Sequence, residues 1–85
     1  MNIIQTDNFV KSFRQLPLDI QRLYQIQEQR FLENWYDPRL HIKRVKSLSD
    51  ALSMRITRRY RAFFYFQDPS TAIFFEIDHR KDVYR

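Results

Sequence analysis

LSMRITRRYRAFFYFQDPSTAIFFEI, residues 52–77, carries the two-residue period of half-buried β-strands. From Leu52 to Thr57, Leu52, Met54 and Ile56 point one way, and Ser53, Arg55 and Thr57 point the other. From Tyr60 to Phe66, Tyr60, Ala62, Phe64 and Phe66 suit a core. Arg61, Phe63 and Tyr65 share the opposite side. Gln67 to Thr71 has turn composition, and Ala72 to Ile77 reads as a further strand. Short connections between consecutive strands predict an antiparallel meander. The chain contains no glycine, so the turn expected at Arg58-Arg59 must form without the residue that tight hairpins favour.

The preceding half reads as helix. Met1 to Gln5 can form a short strand. Thr6, Asp7 and Asn8 are N-cap residues, and Phe9, Val10, Phe13 and Leu16 follow at helical spacing. Pro17 ends that helix and suits the first turn of the next. From Pro17 to about Asn34, Ile20, Leu23, Tyr24, Phe31 and Leu32 lie near one face. Gln25, Gln27, Glu28, Gln29 and Arg30 form the polar remainder. Trp35-Tyr36-Asp37-Pro38 breaks the helix, and Leu40 to Val45 can be extended. The expected architecture is α+β: an N-terminal strand, a helical hairpin, then an antiparallel sheet meander. The helices should cover one sheet face and leave the other accessible. Residues 1–85 are expected to form a single domain.

A chain of 85 residues buries roughly 60–65% of its unfolded surface, so it needs a dense core. Eight Phe, five Tyr and one Trp can supply it. The absence of cysteine excludes disulfides, thiolate metal sites and cysteine catalysis, and fits a reducing, cytoplasmic compartment. No signal peptide is visible, and no run approaches the roughly 20 apolar residues of a membrane span. Two distant histidines argue weakly for a metal. A glycine-rich phosphate loop is impossible, and no elbow-type serine stands out. No cofactor is expected.

The net charge of +5 is unevenly placed. Residues 1–38 hold four Lys/Arg against five Asp/Glu, and residues 39–85 hold eleven against five. That asymmetry points either to a polyanionic partner or to a solvated surface that favours solubility. Arg55 and Arg61 flank a tight turn, so an antiparallel pair can bring them together on the accessible face. With Phe63 and Tyr65 they suit RNA, since guanidinium grips phosphate and rings stack on bases. The alternative is an ordinary polar face on which Glu76 or Asp78 pairs with the arginines. Lys43, Arg44 and Lys46 form either a phosphate-tracking strip or a charged edge strand blunted against aggregation. The tail combines His79, Arg80, Tyr84 and Arg85, groups able to move a proton, hold phosphate or stack.

Several stretches resemble the RelE/ParE toxin superfamily. Phe9-Val10-Lys11-Ser12-Phe13 with Leu16-Pro17-Leu18-Asp19-Ile20 is similar to the opening helical hairpin of that family. Asp37-Pro38-Arg39-Leu40-His41-Ile42-Lys43 resembles the P-x-L-x-x-K lead-in to the sheet. Ser53 to Ala62 resembles the S-x-R-I-T-x-x-Y-R strand pair, and His79 to Tyr84 the H-R-x-x-V-Y ending. The likeness covers nearly the whole chain. It implies a toxin held inactive by a cognate antitoxin. One branch implies a metal-free, ribosome-dependent endoribonuclease that cuts mRNA, and the other an inhibitor of DNA gyrase. In the RNA-cutting branch, the arginine of the Y-R strand stabilises the scissile phosphate, a role that falls on Arg61. The terminal tyrosine role falls on Tyr84, and the basic residue before it is Arg80 or His79. Lys43 and Lys46 become RNA binders, with Arg55, Arg44 and Arg85 as further contacts. Some members carry a lysine ahead of the arginine as general base. Here that strand offers Ser53, Met54 and Arg55, leaving His79, Tyr84 and His41 as proton acceptors.

Overall fold

Thr6 sets where the first helix begins. Its backbone is extended (φ −70°, ψ 163°), and its hydroxyl accepts from the Phe9 amide at 3.1 Å. The computed structural model describes residues 1–79. Strand β1 (Asn2–Gln5) leads through this cap into α1 (Asp7–Arg14), and Pro17 caps α2 (Leu18–Glu33). A 3-10 turn (Pro38–Leu40) follows, then β2 (Lys43–Arg44), β3 (Leu52–Arg55), β4 (Tyr60–Asp68) and β5 (Thr71–His79).

The strands form one sheet in the order β1-β5-β4-β3-β2. From β2 to β5 the pairing is antiparallel, as the period-two reading expects. β1 pairs with β5 in parallel. A parallel pair needs a crossover, and here the hairpin α1–α2 lies within it. The architecture is the α+β arrangement expected from the sequence.

Several boundaries differ from the sequence reading. Of Leu40–Val45 only Lys43–Arg44 is strand, because Leu40 is drawn into the core by the 3-10 turn. The Arg58-Arg59 turn is wider than two residues. Ile56 and Thr57 donate to the Tyr60 carbonyl, and the Thr57 hydroxyl accepts from the amides of Arg59 and Tyr60. A threonine hydroxyl thus organises a loop that lacks glycine. On α2 the inward residues are Ile20, Tyr24, Gln27 and Phe31, while Leu23 and Leu32 are exposed. Gln27, which reads as polar surface, is therefore interior.

The core lies between the hairpin and one sheet face. Met54, Ala62, Phe64, Ala72 and Phe74 are fully buried against Phe9, Tyr24 and Phe31. Phe74 is its hub, with ring centroids 4.8 Å from Phe64, 5.4 Å from Phe31 and 5.8 Å from Phe9. Phe31 and Phe9 meet Phe74 edge-on, a geometry that favours aromatic rings beyond simple burial. A bulge next to Phe74 leaves Phe75 without a ladder partner on β4. Its carbonyl accepts instead from Asn8 Nδ2 at 2.9 Å, which ties α1 to the sheet. Burial pushes the Tyr24 phenol well above its ordinary range, helped by neighbouring Glu28, to which it donates at 2.7 Å.

Truncating the hub should cost about 3–5 kcal/mol. Equilibrium urea unfolding of Phe74→Ala should show this as a lower midpoint with an unchanged slope.

Candidate nucleic-acid interface

The face turned away from the helices is set by the same alternation that buries Met54 and Phe64. Arg55 lies directly opposite Arg61, and Arg61 opposite Asp78 on β5. Ser53 pairs with Phe63 on one side and with Lys43 on the other. Two like charges directly across an antiparallel pair repel. Asp78 is the carboxylate across from Arg61, so the row Arg55–Arg61–Asp78 carries a net positive charge. Phe63 and Tyr65 continue the row along β4, and Phe75 lies 6.3 Å and 5.8 Å from their rings. Tyr65 is exposed. The sequence-derived set of Arg55, Arg61, Phe63 and Tyr65 thus shares one face.

His41, Lys43, Ser53, Arg55 and Arg61 line one shallow depression. Beside it, a groove of about 640 Å³ is lined by Lys43, Arg44, Lys46, Arg61, Phe63 and Asp78, among others. Arg44 and Lys46 continue into a further groove that reaches Leu48 and Tyr65. β2 is the edge strand of the sheet, and the Lys43–Lys46 strip that begins on it borders the arginine pair.

His41 reaches this depression through unusual backbone geometry. The Asp37 carboxylate caps the 3-10 turn, accepting from the Arg39 amide at 2.9 Å and from the Arg39 guanidinium at 3.1 and 2.7 Å. The turn ends with His41 in the left-handed region (φ 48°, ψ 49°). That conformation costs a non-glycine residue about 1 kcal/mol or more. It is one of two positive-φ residues among those described, the other being Asp50.

His79 is placed differently. It stacks on Tyr60 at 4.2 Å and lines a groove with Ser12, Leu16 and Pro17, on the helix side of the sheet. The structure thus brings His41, not His79, beside Arg55 and Arg61. Glu76 is engaged with Ser12 on α1, at 3.5 Å. Arg80, Tyr84 and Arg85 lie outside the described residues. Among the described residues, no group of His, Asp and Glu could hold a metal ion, and no helix is long and apolar enough to cross a membrane.

No family model and no curated protein matches this sequence. Solved structures match closely in shape. A YoeB/ParE toxin from Agrobacterium tumefaciens superposes with a TM-score of 0.76 at 9% identity, covering 94% of this chain and 99% of that one. A chain of the RelB–RelE antitoxin–toxin complex from Methanococcus jannaschii gives 0.76 at 23% identity, covering 95% and 94%. A chain of the intact RelBE toxin–antitoxin complex of E. coli gives 0.71 at 13% identity, covering 94% and 96%. The chain has the RelE/ParE toxin fold. Coverage is almost complete in both directions.

The hydrogen bonds from the Arg39 side chain and amide hold the Asp37 carboxyl down to about 2, against an ordinary 3.8. A lowered carboxyl contributes stability above its ordinary value and loses it as pH falls through the folded value. Carboxyl carbon NMR should place the Asp37 midpoint near 2, and Arg39→Ala should move it back towards 3.8.

Proposed function

We propose that this chain is the toxin of a type II toxin–antitoxin pair, and that it cuts mRNA on the ribosome without a metal. The single observation that carries this reading is the placement of Arg55 opposite Arg61, with Lys43 and His41 lining the same depression. The fold shared with a YoeB/ParE toxin and with chains of two RelB–RelE antitoxin–toxin complexes supports the toxin role. Ribosomal action would place the protein in the cytoplasm.

The chemistry is attack by a ribose 2′-oxygen on the adjacent phosphorus. The new P–O bond closes a 2′,3′-cyclic phosphate as the bond to the 5′-oxygen breaks. The 2′-hydroxyl proton leaves to a base, and the departing 5′-oxygen takes a proton. Arg61 and Arg55 stabilise the charge that grows on the non-bridging oxygens. His41 lines the same depression and is the imidazole placed for the proton transfer. Lys43, Arg44 and Lys46 track the flanking phosphates, while exposed Tyr65 offers a base a ring to stack on. Arg80, Tyr84 and Arg85 retain the roles that the family resemblance implies.

The cognate antitoxin is read as an acidic or amphipathic segment that covers this cationic face. It should be encoded beside the toxin.

Removing one charge-stabilising donor typically costs about 100- to 1,000-fold in rate. Arg61→Ala should therefore stop growth inhibition and mRNA cleavage while the protein keeps its circular dichroism and melting midpoint. A folded Arg61→Ala variant that still cuts mRNA rules the assignment out. Intact mRNA with a DNA-damage response to the wild-type chain would replace cleavage with inhibition of DNA gyrase. RNA binding should weaken with salt, and Lys43→Ala should reduce the slope of log K against log salt by about 1.

A further inference from the structure

β3 is longer than its neighbour. β2 pairs Lys43 with Ser53 and Arg44 with Leu52, then ends. Continuing that register would set His41 opposite Arg55. The left-handed backbone of His41 takes the chain out of the ladder instead. Along β3, the Ile56 amide bonds to Tyr60 on β4. By alternation, the Arg55 carbonyl faces the side that β2 vacates.

The missing partner comes from α2. Gln27, only 6% exposed, donates from Nε2 to the Arg55 carbonyl at 2.7 Å and to the Arg39 carbonyl at 3.0 Å. Arg30 Nη1 donates to Gln27 Oε1 at 2.9 Å. An amide has two N–H donors on one nitrogen, and here each meets a carbonyl. The Arg30 contact fixes which way the amide is turned. One of those carbonyls belongs to the strand that carries Arg55. The other lies two residues before His41.

We propose that Gln27, oriented by Arg30, is a positioning residue that takes the place of the absent strand and fixes the His41 turn against the Arg55–Arg61 pair. This rests on the RNA-cutting reading for its kinetic consequence alone. Its close relatives in size lack one part of this function. Leucine has no donor. Glutamate would aim a negative oxygen at two carbonyls. Asparagine is one methylene shorter and cannot span both. A catalytic group displaced by about 1 Å by a change elsewhere can lose about 100-fold in rate, so a remote clamp of this kind reads out in turnover.

The test compares Gln27→Leu, Gln27→Glu and Arg30→Met with Phe31→Leu, a core change in the same helix that touches neither carbonyl. Single-turnover cleavage of mRNA on ribosomes should slow about 10- to 100-fold in the Gln27 variants, and less in Arg30→Met, with half-saturation within about twofold of wild type. Phe31→Leu, corrected for its folded fraction, should cut at the wild-type rate. Gln27 variants that slow no more than Phe31→Leu overturn the proposal. Amide 15N shifts supply a readout that does not depend on cleavage. Leu40 and Ile56 carry the nitrogens bonded to the two accepting carbonyls, and their signals should move in the Gln27 variants but not in Phe31→Leu. If Gln27→Leu fails to fold, Arg30→Met carries both measurements. A wild-type chain that leaves RNA uncut removes the RNA-cutting reading, and the Leu40 and Ile56 shifts then decide the clamp, which fails if they stay in place.

Discussion

The register of β3 on β4 is the constraint on which the rest depends. With Arg55 opposite Arg61, Met54 lies opposite Ala62 and Leu52 opposite Phe64. Those three pairs divide the sheet into an apolar face and a cationic one. A slip of β3 by one residue would turn Arg55 towards the helices and expose Met54. The buried aromatic cluster forbids that slip. The hydrophobic energy of the core therefore sets Arg55 and Arg61 side by side on the other face, with Asp78 across from Arg61. The packing of one face thus decides which side chains gather on the other.

A chain without glycine solves its turns with polar side chains. Thr57 organises the loop between β3 and β4, Asp68 accepts from the Ser70 amide at 2.8 Å, and Asp37 caps the 3-10 turn. Asn8 satisfies the carbonyl that the bulge at Phe75 releases. Each device depends on a short side chain reaching a nearby backbone group. Only at His41 and Asp50, among the described residues, does the chain accept a positive φ. At His41 this conformation ends β2 and brings an imidazole beside the arginine pair. A locally unfavourable backbone at the edge of a charged depression is a common mark of a functional site.

Much of the candidate site was legible because period two on a strand is unambiguous. Arg55, Arg61, Phe63 and Tyr65 fall on one face by counting alone. The two histidines were not separable in this way. His79 lies in a basic tail and invites a chemical role, yet it pairs with Tyr60 and so falls on the helix side. His41 sits in a stretch that reads as extended, and nothing local announces the left-handed turn. Gln27 was hidden by composition, since it stands among Gln25, Glu28 and Gln29. Its position seven residues after Ile20 and four before Phe31 was a usable signal, because that spacing belongs to the inward stripe.

The sequence by itself determined the order of the elements, the partition of the sheet into two faces and a helix start within Thr6, Asp7 and Asn8. These follow from short-range periodicity and capping, which act within a few residues. Only the tertiary structure decided the parallel pairing of β1 with β5, the choice of His41 over His79 beside the arginines, and the burial of Gln27. Each of these joins segments distant along the chain, and their meeting is set by how the whole core packs rather than by any local pattern.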